Sequence, residues 1–76
     1  MCTVIDGRQV MVCDVSRDRV TAAVREHVGD AVRIETVHYE GTRYTCDDPA
    51  SVEAFQSAVS RALGWPEGPF EATPGP

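Results

Sequence analysis

The chain contains no lysine, and its seven basic residues are all arginine. That usage reads as a GC-rich coding bias rather than as a device for bidentate recognition. Long apolar runs are missing too, and the opening Met-Cys-Thr-Val-Ile-Asp has no basic region, so neither a membrane span nor a secretory signal is expected and the chain reads as cytoplasmic. There is no CxxC pair. Three cysteines make an odd count, which argues against a disulfide framework. Cys2, Cys13 and Cys46 with His27 and His38 stand at spacings that match no finger or ribbon, so neither a metal nor a cofactor is expected. No serine, cysteine or carboxylate is placed by sequence beside either histidine, so no catalytic residues are assigned. The formal net charge of −5 opposes binding to phosphate backbones. Asp18 and Glu26 interrupt the one basic stripe, Arg17, Arg19 and Arg25.

What the sequence does contain is a pattern that occurs twice. Residues 4–12 and 37–46 each read as a hairpin around an acidic-Gly pair, and each leads into an amphipathic helix ended by glycine. Asp6-Gly7 is expected to form a two-residue turn with positive φ at its centre. Glu40-Gly41 is expected to form either the same turn or a type I turn with Gly41 left-handed and a bulge. With Glu40 and Gly41 as the loop, Tyr39 faces Thr42, Val37 faces Tyr44 and Glu35 faces Cys46, which gathers Val37, Tyr39, Tyr44 and Cys46 on one face. Val32 and Ile34 then have the opposite parity, and a bulge near Glu35 or Thr36 is expected to reconcile them. His38 falls opposite Tyr39, facing solvent.

The first helix is expected over residues 16–28, with Ser16 as its cap, Val20, Val24 and Val28 as an apolar stripe, and Gly29 left-handed after it. The second has Asp48 as N-cap, Pro49 at its first position, Val52, Phe55, Val59 and Leu63 along one side, and Gly64 as its stop. In a Schellman ending Trp65 folds back over Val59 or Ser60. Residues 66–76 are rich in proline and glycine and read as a flexible acidic tail.

Cysteine carries one further signal. Met1-Cys2-x-x-Ile5-x-Gly7 resembles the opening of the small hydrogenase-maturation chaperones, in which the cysteine after the initiator methionine handles iron. The likeness covers those few positions, departs at Asp6 where that family has proline, and has helix rather than barrel strands after it. It implies an exposed, reactive Cys2. Cys13 and Cys46 both end the second strand of their hairpin, so a local two-fold between the halves would bring them together.

These readings combine into one α+β domain over residues 1–65, a two-layer sandwich of order ββαββα with a four-stranded antiparallel sheet and two helices on one face. A core this small supports about 3 to 5 kcal/mol of stability. Its open face and strand edges are where binding is expected, with Arg33, Glu35, His38, Tyr39 and Arg43 as the binding residues. The function expected is a noncatalytic interaction or regulatory module whose partner is another protein or a second copy of the chain. The alternative is a thiol or metal handling protein centred on Cys2 with Cys13 or Cys46.

Overall fold

The computed structural model describes residues 3–65; Cys2, the acidic tail at 66–76 and Phe70 lie outside it. Strands β1 (Thr3–Asp6) and β2 (Gln9–Val12) lead to helix α1 (Asp14–His27), and β3 (Val32–Val37) and β4 (Gly41–Cys46) lead to helix α2 (Val52–Leu63). Short 3-10 turns, Gly29–Ala31 and Pro49–Ser51, precede β3 and α2. The sheet is antiparallel with strand order β1-β2-β4-β3. The two hairpins therefore meet through β2 and β4, and β1 and β3 form the outer edges. This is the expected ββαββα sandwich.

Alternation along the strands separates two faces. Val4, Val10, Val12, Val32, Tyr44 and Cys46 turn to the helices and are buried there with Val20 and Val24 of α1 and Phe55, Ala58 and Val59 of α2. Each hairpin is tied to a different helix. The Tyr44 hydroxyl donates to the Arg17 carbonyl at 3.0 Å and lies 2.6 Å from the Thr21 hydroxyl, pinning β4 under α1. Gln56 Nε2 donates to the Gly7 carbonyl at 2.7 Å, pinning the first turn under α2. Burial raises the Tyr44 phenol above its ordinary pKa, against the opposing influence of the Thr21 hydrogen bond and the charge of Arg17.

The helix ends follow their capping chemistry. Asp48 accepts from the Ala50 amide at 3.2 Å and from the Ser51 hydroxyl at 2.9 Å, so it caps the 3-10 turn through which the chain enters α2. Gly64 is left-handed at φ 75°, and the Trp65 amide reaches back to the Ser60 carbonyl at 2.8 Å, the Schellman bond. Trp65 packs, half-buried, on the core. Gly29 is left-handed as expected, at φ 68°. The start of α1 differs: it begins at Asp14 after Cys13, and Ser16 lies inside the first turn, where its amide bonds to the Cys13 carbonyl at 3.1 Å.

Both turns depart from the sequence reading. In the first, Asp6 pairs with Gln9, so the connecting residues are Gly7 and Arg8. Positive φ falls at Tyr39, Gly29, Gly41 and Gly64, and not at Gly7. The Asp6 carboxylate sets this turn instead, accepting from the Arg8 amide at 2.7 Å as an Asx turn. In the second, Val37 pairs with Gly41, and His38, Tyr39 and Glu40 make the loop, closed by the Glu40 amide on the Val37 carbonyl at 3.0 Å. Ile34 then faces Tyr44 and Val32 faces Cys46, in unbroken register over all of β3. The bulge expected near Glu35 or Thr36 is thus not needed. A bulge occurs in β1 instead, between Val4 and Asp6.

Candidate functional site

The residues singled out as a binding set divide between two places. Arg33, Glu35 and Arg43 project from neighbouring strands onto the face away from the helices, because Glu35 pairs with Arg43 across β3 and β4 and Arg33 lies two residues before Glu35. Arg43 grips one Glu35 carboxylate oxygen with Nε at 3.3 Å and Nη2 at 3.2 Å. Arg33 holds the same oxygen more loosely, at 3.5 Å, and reaches Asp47 at 3.8 Å. All of these groups are more than a third exposed. Such pairs contribute little to stability, so the cluster is available for exchange with charges on another molecule. Around it the open face carries Gln9, Met11 and Thr45, and Ile5 is 39% exposed in the bulged strand.

Tyr39 and His38 lie away from this cluster. The expectation that Tyr39 shares a face with Val37, Tyr44 and Cys46 is corrected by the three-residue loop, which puts Tyr39 at its centre, 96% exposed and left-handed at φ 68°. His38 is exposed beside it, their ring centroids 4.0 Å apart. The third residue of such a turn is normally glycine or asparagine, so a tyrosine there is strained. Between this loop and the first turn of α1 lies a cleft of about 400 Å³, lined on one side by Cys13 and Asp14 and on the other by residues 36–41.

The thiols are not brought together. Because β2 and β4 run antiparallel, Cys13 follows Val12 beside the start of β4, and Cys46 closes the opposite end of that strand. Cys46 is buried with its Sγ 3.4 Å from the Asp48 carbonyl, and Cys13 is half-buried with its Sγ 3.9 Å from the Ser16 hydroxyl. A local two-fold between the hairpins is compatible with the antiparallel pairing of β2 and β4, but it sends the ends of these two strands, and with them the two cysteines, in opposite directions. Among the described residues no three His, Cys, Asp or Glu side chains gather into a metal-holding group. No described helix is long and apolar enough to cross a membrane.

The two outer strands differ in what they offer. β1 has four residues and a bulge, which spoils the regular spacing of its outward amides and carbonyls. β3 has six residues in continuous register. The Ala31 carbonyl accepts from the Asp47 amide at 3.0 Å, and the Val37 carbonyl accepts from the Glu40 amide, so odd-numbered residues of this strand direct their main chain toward β4. By antiparallel alternation Val32, Ile34 and Thr36 direct theirs outward. These backbone groups, with the cleft of about 350 Å³ that Arg25, Gly29 and Asp30 form beside Val32 and Ile34, are the part of the site that side-chain chemistry in the sequence did not reveal. Comparison with protein-family models, with curated proteins and with solved structures finds no match.

Proposed function

We propose that the protein is a noncatalytic interaction module that binds a protein partner by adding a strand to β3. The observation that supports this reading is the regular outer strand, with the outward amides and carbonyls of Val32, Ile34 and Thr36 in register for a partner backbone. The exposed charges of Arg33 and Glu35 alternate with these positions and supply side-chain selectivity on the open face. An added strand takes its hydrogen bonds from the backbone and its specificity from alternate side chains, so this surface requires no enclosed pocket.

Thr36→Pro tests it. Thr36 is exposed and its amide points away from β4, so proline there keeps the sheet ladder while removing an outward donor and obstructing a docking strand. The variant is expected to keep the wild-type circular dichroism and to lose the partner that the wild-type chain recovers from its native host. A folded variant that retains that partner overturns the edge reading.

A further inference from the structure

The edge reading leaves the identity of the added strand open, and the charge order along β3 selects one. We infer that the strand that docks on β3 is β3 of a second copy, paired antiparallel about a two-fold axis through Ile34. The inference rests on the reading of β3 as a docking edge. A two-fold between antiparallel strands is perpendicular to the sheet and places residues of the same face opposite each other, with both pairs of helices on one side. Three registers then bring the outer strands into substantial overlap. An axis through Arg33 opposes the two Arg33 side chains, and an axis through Glu35 opposes the two Glu35 side chains; like charges directly opposite destabilise a ladder. An axis through Ile34 sets Arg33 against the second copy's Glu35, and Glu35 against its Arg33. Of the three registers, this is the one in which the charges on the open face are complementary.

The same register suits the other face and the backbone. Ile34 is half-buried and directs its main chain outward, so the two Ile34 residues exchange both backbone bonds at the axis. Their side chains meet on the helix side, beside the cleft of about 350 Å³ bordered by Arg25 and Asp30. Val32 then faces Thr36 of the other copy at each end. Within one chain Arg33 is held at 3.5 and 3.8 Å, the loosest contacts of the cluster, while Arg43 keeps Glu35 at 3.2 Å, so Arg33 is free to swing across the axis without dismantling the Arg43 pair. The product is one continuous sheet formed from both copies with the bulged β1 strands at its ends, which closes the more regular edge and exposes the less regular one.

Sedimentation of the full chain and two charge reversals tests the proposal. The wild type is expected to dimerise. Arg33→Glu opposes glutamates across the axis and Glu35→Arg opposes arginines, twice per dimer in each case, so each variant should dissociate with a Kd raised roughly tenfold or more. Mixed in equal amounts, the two variants should form a heterodimer, since every cross-axis pair is again of opposite sign. A change in the ion pairs within one chain is not repaired by mixing, so this rescue reports contacts between chains. A wild type that is monomeric at millimolar concentration overturns self-pairing. So does a dimer that survives both reversals, or one whose variants fail to rescue each other. In each case the wider edge reading is decided separately by whether Thr36→Pro loses the cellular partner.

Discussion

The two hairpins begin from similar sequence, an acidic residue followed by glycine between β-forming runs, and reach opposite solutions. In the first, the acidic side chain shapes the turn: Asp6 accepts the Arg8 amide, and Gly7 adopts no left-handed conformation. In the second, the backbone does so: Gly41 takes φ 122° at the start of β4, and the loop before it forces Tyr39 to positive φ. The first ends in a short, bulged edge and the second in a long, regular one. An acidic-Gly pair thus marks a reversal without specifying its register, because asparate bonds the amide two residues on through a short side chain, and the longer glutamate side chain is less suited to that bond.

The sharpest way to break the comparison is to remove both glycines in turn. A Cβ on Gly41 would collide with the Val12 carbonyl and sit in a left-handed conformation, so Gly41→Ala is expected to cost about 3 kcal/mol. A Cβ on Gly7 would meet only Gln56 Nε2, at the ordinary contact distance of 3.5 Å, so Gly7→Ala should stay within roughly 1 kcal/mol. Thermal unfolding of the two variants should differ by at least ~8 °C in a domain of this size. Equal melting temperatures would show that the hairpins are conformationally alike. This reverses the ranking that turn preference alone suggests, in which Gly7 is the indispensable residue.

Much of the architecture was legible from the sequence because it rests on local chemistry. The α2 stop is an example: Gly64 and Trp65 close it with bonds confined to one turn of helix. Gly29 and the Asp48 cap are others. What was not legible depends on contacts distant in sequence. The approach of Val12 to Gly41 fixes where β4 begins, and from that the loop length, the register and the face on which each residue of β3 falls. A shift of odd parity moves Val37 off the core face and puts Ile34 on it. The candidate site shows the same division: Arg33, Glu35 and Arg43 were named in the sequence only as members of a set with His38 and Tyr39, whereas the pairing of Glu35 with Arg43 and the outward backbone of β3 follow from the register of β3 on β4.

Tyr44 and Gln56 sharpen the comparison at the helix layer, since each anchors one hairpin to one helix. Tyr44→Phe leaves the Arg17 carbonyl and the Thr21 hydroxyl without their phenol, an expected loss of about 1 to 2 kcal/mol. Gln56→Ala releases only the carbonyl of the half-exposed Gly7, for about 1 kcal/mol. Alkaline unfolding separates the two further. Because burial raises the Tyr44 pKa, the folded protein keeps a proton that the unfolded chain loses above its ordinary value of 10.0. The stability associated with the neutral phenol is complete below that pH and falls as pH rises through it. Denaturant titrations should show this fall in the wild type and in Gln56→Ala, and a reduced fall in Tyr44→Phe; an identical alkaline slope in all three would remove Tyr44 as its source.

The smallest effect is expected where the second hairpin carries its strain. Tyr39 is 96% exposed, so truncating it gives up little besides its contact with the His38 ring. Asparagine tolerates the left-handed region far better than tyrosine and, unlike glycine, does not add as much freedom to the unfolded chain. Tyr39→Asn is therefore expected to stabilise the protein, by about 0.5 to 1 kcal/mol, measured as a rise in the denaturation midpoint. The corresponding change in the first turn, Arg8→Asn, has no such strain to relieve and should leave the midpoint nearly unchanged. A midpoint unaltered by Tyr39→Asn would show that the tyrosine conformation is unstrained. If the variant gains stability and loses its partner, the tyrosine is maintained against its own backbone preference for a contact that the isolated chain does not make, and the binding surface extends from the β3 edge to the tip of the second hairpin.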